Sequence, residues 1–213
     1  MNSQPAPAVG TCHVVPATPA DTDTLSHVIA AAFHDLAPSL WLVTDTDDRR
    51  RVFPGYFRIY VEHALEQGIA YTNPGRTGVA LWLPLGDGPP APDPGYVTRL
   101  AAATSPWTAR FQAFDTALDG HHPTGIPHHH LAILAVHPDH QAQRIGTALL
   151  DAHHAALDAD GTPAYLEASG QRTRDLYLAH GYRDCGYPIE LPGGPAMYPM
   201  WRRPRLPRRR PRG

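Results

Sequence analysis

The chain has 213 residues, a length that suits a single domain with a full hydrophobic core and needs no disulfide or structural metal for stability. Its cysteines, Cys12 and Cys185, lie far apart and form no C-x-x-C pair, which argues against a thiolate metal site and favours a reduced compartment. The start of the chain lacks a signal-peptide pattern, and no apolar stretch approaches the roughly 20 residues of a bilayer span. We therefore expect a cytoplasmic protein without membrane contact.

Charge is distributed unevenly along the chain. All 18 basic residues are arginines, the formal net charge is -2, and seven of the arginines lie in residues 202–213 together with three prolines. We expect that segment to be a disordered tail, and we favour a solvated end over a nucleic-acid contact. The remaining body is acidic, which suits a cationic small substrate. The predicted organisation is a flexible lead at 1–10, one domain at 11–201 and the tail at 202–213.

The first half of the chain predicts helices and a hairpin. Asn73-Pro74-Gly75 is a turn sequence between two apolar runs, and Gly68 follows an amphipathic helix. The predicted elements are a strand at 11–15, a helix around 25–33, a loop at 37–46, a helix at 47–67, and strands at 69–72 and 77–83.

The second half alternates between strands and helices. The almost wholly apolar stretch from His130 to Val136 is typical of a central strand that is covered on both faces. The order predicts a mixed α/β (α+β) fold whose central sheet is flanked by helices. The predicted elements are a loop at 86–95, a helical section at 96–118, strands at 130–136, 164–168 and 196–201, and helices at 146–158 and 173–180.

The most informative segment runs from Leu131 to Leu150. It is a buried strand that ends at Pro138 and turns directly into a helix. The unpaired N–H groups and the positive dipole end of such a helix hold a pyrophosphate well, and Gly146 and Ala148 keep bulk away from the helix start. The segment therefore predicts a site for an anionic cofactor.

Two ordered motifs carry a resemblance to a known family. The first is Gln143-Arg-Ile-Gly-Thr-Ala148, preceded by Val136-His-Pro-Asp-His-Gln141; the second is Ala164-Tyr-Leu-Glu-Ala-Ser169 followed by Asp175-Leu-Tyr-Leu-Ala-His-Gly-Tyr182. In both, the chain resembles the GCN5-related N-acetyltransferase (GNAT) superfamily, and within it the puromycin N-acetyltransferases and related antibiotic-modifying enzymes. The resemblance implies a GNAT-like sheet with a splayed pair of central parallel strands, and acetyl-CoA as the acetyl donor.

The resemblance also assigns residues to the acetyl-CoA site. The strand before the loop would pair with the pantetheine arm, the loop would hold the pyrophosphate, and Thr173 stands where many relatives carry an asparagine. The predicted cofactor-binding residues are Ile133, Leu134, Ala135, Val136, Gln141, Ala142, Gln143, Arg144, Ile145, Gly146, Thr147, Ala148, Thr173 and Tyr177.

Direct transfer in a ternary complex needs a proton donor, a proton acceptor and an oxyanion site. Tyr177 matches the tyrosine that in relatives protonates the departing thiolate, although it would also serve to pack the last helix onto the sheet. A backbone N–H near Ala135 or Val136 would hold the oxyanion. Glu167 is a candidate base, and it would equally form a structural ion pair or bind the cationic acceptor; His130 is a further candidate base.

Aromatic residues are candidates for the acceptor pocket. We expect Trp41 and Trp82 to reach the acceptor, while Tyr56, Phe111 and Phe114 are further candidates that would otherwise belong to the core. No metal is expected, because the histidines of this region match no zinc spacing, and alternate residues of a strand point to opposite faces. Those histidines are His121, His122, His128, His129 and His130.

Three functions remain open at this level. The leading hypothesis is an N-acetyltransferase acting on a small-molecule amine, such as an antibiotic or another specialised metabolite, as a monomer or homodimer. The second is a protein or peptide N-acetyltransferase. The third is a non-catalytic protein that binds acetyl-CoA as a regulatory ligand, with the arginine tail on nucleic acid.

Overall fold

One mixed sheet of eight strands forms the centre of the molecule. In the computed structural model, which describes residues 13–87 and 95–205, the strand order is β1-β2-β3-β4-β5-β8-β6, with β7 added to β8. Among these strands only β4 and β5 pair in parallel. The strands are β1 (Val15–Pro16), β2 (Ile69–Thr72), β3 (Gly78–Leu85), β4 (His128–Val136), β5 (Ala164–Ala168), β6 (Arg183–Asp184), β7 (Ile189–Glu190) and β8 (Ala196–Arg202).

Helices cover both faces of this sheet, so the predicted mixed fold is confirmed. The segment predicted as a loop at 37–46 contains a short helix, and the helical section predicted at 96–118 is divided at Pro106, which has no N–H to continue a helix. The helices are α1 (Thr22–Phe33), α2 (Ala37–Leu42), α3 (Thr46–Gln67), α4 (Tyr96–Thr104), α5 (Thr108–Asp119), α6 (Ile145–Asp160) and α7 (Gln171–Ala179).

Each face of the sheet has its own hydrophobic cluster. On one face, α1, α3 and α5 contribute Ile29, Phe53 and Phe111. On the other face, α6 packs Leu149 and Leu150 against residues of β3, β5 and β8. The apolar residues of β4 alternate between buried and half-buried positions, and none of residues 131–136 is exposed, which is why its sequence shows almost no polar alternation.

The central strands separate in the middle of the sheet. β4 pairs with β5 only through His129 with Ala164 and His130 with Tyr165. The β3–β4 register also shifts between Leu81 and Trp82, which leaves Ala132 as an extra residue on β4. Both features open a gap beside β4 from that bulge onwards, in agreement with the predicted splayed pair.

The C-terminal boundary differs from the prediction. Arg202, predicted as the first residue of the tail, is the last residue of β8; it is 2% exposed and its Nη2 lies 2.8 Å from Oδ2 of Asp158. This ion pair holds the strand against α6. The lead at 1–10, the tail from 206 onwards and most of the predicted loop at 86–95 lie outside the described residues. Over the described ranges, no helix has the length and hydropathy of a membrane span.

Candidate active site

A cavity of about 800 Å³ lies beside the opening between β4 and β5. The bulged half of β4 and the start of α7 form one wall, where Ile133, Leu134, Thr173 and Tyr177 line it. Helices α2 to α5 form the opposite wall. The cavity therefore has two connected parts. One is part of the predicted acetyl-CoA site, and the other is a separate, mostly apolar chamber.

Glu167 lies at the inner wall of this cavity, on β5 just beyond the last pairing with β4. Its Oε2 accepts a hydrogen bond from Nε2 of His130 at 2.9 Å, and its Oε1 lies 3.9 Å from Nδ1 of His122. Burial raises the pKa of Glu167, but the neighbouring His130 and His122 outweigh it and lower this pKa to about 2. The side chain therefore carries a fixed negative charge between two imidazoles.

His122 extends this arrangement away from the cavity. Its Nε2 lies 3.2 Å from Nε2 of His128, whose Nδ1 lies 2.8 Å from the carbonyl oxygen of Ile126. His128 is 1% exposed, and burial lowers its pKa. The predicted histidine cluster is therefore divided: His122 and His130 reach the cavity, whereas His129 contacts His153 on the α6 side of the sheet at 2.9 Å.

Tyr177 lies on α7 and lines the same cavity as Glu167. Its side chain is buried, and burial raises the pKa of its hydroxyl above the usual value. It also packs edge-on against Tyr182, with ring centroids 5.7 Å apart. Both sequence interpretations are compatible with this placement, because Tyr177 lines the cavity and its ring also packs α7 against Tyr182.

Thr173 stands on the first turn of α7. Its Oγ1 donates a hydrogen bond to the carbonyl oxygen of Gly170 at 2.9 Å and lies 3.4 Å from Oγ of Ser169. The hydroxyl proton is used within the helix start, so the side chain offers the cavity a lone pair and a methyl group.

The segment Gln141 to Ala148 forms the tight turn between β4 and α6 that its sequence predicts. Ala142 and Arg144 adopt left-handed backbone conformations, with φ of 60° and 61°. The first helical hydrogen bond is from the N–H of Ala148 to the carbonyl oxygen of Arg144, so the preceding N–H groups at the start of α6 have no helical partner. Left-handed residues next to a helix N-terminus are typical of backbone nests that bind anions.

Gly146 is not required by contacts within the protein. A Cβ at this position would meet Val136 and Leu134 at 3.6 and 3.9 Å, which are ordinary contacts. Any advantage of glycine there would have to come from a bound group.

The two predicted acceptor tryptophans lie elsewhere. Trp82 is fully buried in the α6-side cluster, where its ring stacks on His153 with centroids 4.2 Å apart. Trp41 lies on α2 and not in a loop; its Nε1 donates to the carbonyl oxygen of Pro192 at 3.1 Å. Neither is among the described residues that line the cavity, since both side chains serve packing between distant segments.

The outer chamber has aromatic and acidic walls instead. Tyr56 and Phe114, which were further candidates for the acceptor pocket, line this chamber. Tyr60, Tyr96 and Asp115 also line it and were not predicted from the sequence. The hydroxyls of Tyr56 and Tyr60 are 3.0 Å apart, and Tyr96 donates to Oδ2 of Asp115 at 2.7 Å. Burial raises the pKa of Asp115 to about 6, against the lowering effect of the Tyr96 hydrogen bond. The helical spacing of Tyr56 and Tyr60 was the sequence feature that could have identified them as residues that line the cavity.

Comparison with known proteins agrees with this geometry. Residues 111–184 match the family model of the acetyltransferase (GNAT) domain. A structure described as histone acetyltransferase HPA2 and related acetyltransferase, from Corynebacterium glutamicum, is 26% identical over 92% of this chain and 97% of that chain, with a TM-score of 0.67.

More distant structures share the fold. A GCN5-related N-acetyltransferase from Rhodopseudomonas palustris is 16% identical over 91% of this chain and 96% of that chain, with a TM-score of 0.56. Arylalkylamine N-acetyltransferase 2 from Aedes aegypti is 12% identical over 90% of this chain and 98% of that chain, with a TM-score of 0.61. The predicted resemblance to the GNAT superfamily is therefore confirmed: the chain has a GNAT-type acetyltransferase fold with the domain match at 111–184.

Proposed function

We propose that this protein is an N-acetyltransferase that transfers acetyl from acetyl-CoA to the amine of a small molecule. The observation that carries the proposal is one cavity of about 800 Å³ beside the opening at β4, which is lined by Tyr177 and by the hydrogen-bonded Glu167 and His130. A proton donor, a proton acceptor and an acceptor chamber thus share the space next to the predicted donor site.

The residues beside β4 and α6 fit acetyl-CoA, which supplies an activated acetyl thioester when bound. The free N–H groups at the start of α6 and the left-handed Ala142 and Arg144 suit a pyrophosphate. The edge of β4 beyond His130 has no β5 ladder in register, so Ile133 to Val136 are free to pair with an extended amide chain. A backbone N–H of this edge would also hold the carbonyl oxygen as it becomes negative.

The charges of the cavity favour an amine acceptor. Glu66, Asp115, Asp119 and Glu167 are among the described residues that line it, and the one arginine among them, Arg99, is paired with Glu62. Acidic groups inside a largely apolar chamber attract a cationic head on an apolar or aromatic body.

His130 is the base in this proposal, and Glu167 positions it. The anionic carboxylate accepts the Nε2 proton, so the neutral ring keeps its Nδ1 lone pair, which accepts a proton from the ammonium of the acceptor. Glu167 itself is a weak base, because its pKa lies far below neutral pH. In this proposal Glu167 has a positioning role and His130 has the base role.

Tyr177 holds a proton for the departing thiolate. Burial raises the pKa of its hydroxyl, so the group is protonated at neutral pH, and Tyr177 lines the same cavity as His130 and Glu167. No covalent intermediate on the protein is required.

The test is CoA release from acetyl-CoA with a panel of arylalkylamines, aminonucleosides, aminoglycosides, polyamines and short peptides. We expect turnover with at least one small amine, and Tyr177→Phe to lower kcat at least tenfold with little change in the KM for acetyl-CoA. Tyr187→Phe is the matched control, since Tyr187 is 90% exposed. Turnover that is indifferent to Tyr177→Phe would remove the acid role.

A protein or peptide acceptor is the second candidate, favoured by the similarity to the Corynebacterium glutamicum structure, which is described as a histone acetyltransferase and related acetyltransferase. Peptides turned over in preference to every small amine would support it. Tight acetyl-CoA binding without turnover on any acceptor would support the regulatory hypothesis instead.

A further inference from the structure

We propose that His122, His130 and Glu167 form a binding site for a divalent transition-metal ion, with Zn²⁺ as the best match. The ligand atoms of these residues lie within 4.8 Å of one another, and all three residues line the cavity. Two imidazoles and one carboxylate are a donor set that Zn²⁺ uses in catalytic sites, where a fourth position remains open.

The hydrogen-bond chain behind His122 fixes the positions of the protons. The carbonyl oxygen of Ile126 only accepts, so Nδ1 of His128 must donate to it. Nε2 of this neutral His128 is then an acceptor, and Nε2 of His122 donates to it at 3.2 Å. A neutral His122 consequently has its lone pair at Nδ1, the atom that faces Glu167.

This arrangement places a lone pair opposite a buried anion. Oε1 of Glu167 has no hydrogen-bond partner among the described residues, and the carboxylate side chain is only 6% exposed. A buried carboxylate oxygen without a partner is costly, and a cation between Oε1 and Nδ1 would remove that cost.

Geometry favours a metal ion over a second proton on His122. The distance of 3.9 Å from Nδ1 to Oε1 is too long for an N–H···O hydrogen bond. It is close to the sum of a Zn–N and a Zn–O bond, roughly 4 Å, and a small inward movement gives tetrahedral angles. Binding would move the Nε2 proton of His130 to Nδ1 of that ring or to solvent, which frees Nε2 as the third ligand.

The surroundings also suit a metal ligand. A metal-bound histidine usually donates its other ring N–H to a fixed acceptor, and His128 already provides that acceptor for His122. The cavity provides the entry path and the open position.

A second group of similar residues provides an internal comparison. Asp151, His154 and His180 also have ligand atoms within 4.8 Å of one another. Arg202 and Arg205 line the same depression, and Nε2 of His154 lies 3.1 Å from the hydroxyl of Tyr182. Two guanidinium groups repel a cation, so we expect no tight metal binding there.

Metal binding should also inhibit acetyl transfer, and this expectation rests on the proposed function. If His130 and Glu167 act as base and positioning residue, an ion that holds both removes the base. Micromolar Zn²⁺ would then inhibit acetyl transfer, and EDTA would restore it.

The experiment titrates untagged, EDTA-treated protein with Co²⁺, without acetyl-CoA or an acceptor, and follows the visible absorption of tetrahedral cobalt. We expect one equivalent to bind and Zn²⁺ to displace it. Glu167→Gln and His122→Gln should each weaken binding at least tenfold, whereas His180→Gln should leave it unchanged. Circular dichroism of each variant establishes that it is folded, and His122→Asn serves as a second variant at this turn.

Two results would overturn the proposal. One is the absence of the tetrahedral cobalt spectrum. The other is a spectrum that His180→Gln removes and His122→Gln leaves intact. The titration contains neither acetyl-CoA nor an acceptor, so its result is independent of the result of the acetyltransferase assay. Binding without inhibition would instead remove the base role of His130.

Discussion

Nε2 of His130 donates a hydrogen bond to Oε2 of Glu167 across the line where β4 and β5 separate. His130 is the last residue of β4 in register with β5, and Glu167 lies two residues further along β5 than its partner Tyr165. The hydrogen bond therefore joins the two strands at the point where the opening begins and places the Glu167 carboxylate beside the cavity.

Replacing Glu167 by Gln tests the positioning role. The amide oxygen still accepts from His130, so the fold is retained, but the negative charge beside His130 is lost. We expect kcat to fall about a hundredfold while the KM for acetyl-CoA stays nearly constant. Glu190→Gln, an exposed change on β7, is the control in the same steady-state assay. Equal losses in both variants would show that the effect is not specific to this pair.

Asp115 should make stability depend on pH. Its pKa is raised by burial from 3.8 to about 6, so the stability that it contributes is present below pH 4 and is lost as the pH rises through 6. The shift corresponds to about 3 kcal/mol. We expect Asp115→Asn to gain stability over the wild type between pH 4 and pH 8, as measured by urea unfolding.

The exposed Gln112→Ala on the same helix is the control for that series; neither side chain titrates, so its difference from the wild type should stay constant with pH. A constant difference for Asp115→Asn as well would contradict the raised pKa of the buried carboxyl.

Gly78 holds the start of α6 against the sheet. A Cβ there would lie 2.5 Å from Cγ2 of Ile145, the first residue of the helix. Gly78→Ala should therefore displace the turn that we propose binds acetyl-CoA, lower stability by about 2 kcal/mol and weaken acetyl-CoA binding. Gly75→Ala, where a Cβ meets nothing closer than 3.5 Å, should leave binding by isothermal titration calorimetry unchanged.

Ala142 occupies a backbone conformation that favours glycine. Its φ of 60° costs an L-residue about 1 kcal/mol or more, so Ala142→Gly should raise stability by up to about 1 kcal/mol in urea unfolding. The exposed helical Ala156→Gly should do the opposite, because glycine weakens a helix interior. A loss of stability in both variants would show that glycine's greater freedom in the unfolded chain outweighs the relief at 142.

Local patterns were sufficient for the elements nearest to the donor site. Strand β5 was predicted with its observed bounds, and the hairpin at Asn73-Pro74-Gly75 joins β2 and β3 as expected. The two-residue strands β6 and β7 were missed, since two residues show no alternation and are fixed only by pairing with β8. The break at Pro106 was also missed, although its missing N–H was a readable signal.

The sequence by itself determined the fold class, the strand–turn–helix at 131–150 and the tyrosine on α7, because each depends on residues adjacent in the chain. Only the tertiary structure decided which histidines lie beside Glu167, since His122, His130 and Glu167 come from three separate segments and meet where β4 and β5 part. It also placed Trp82 in the core and Asp115 in the cavity. Periodicity indicates that a side chain is buried, but the packing of distant segments decides whether it faces the core or a cavity.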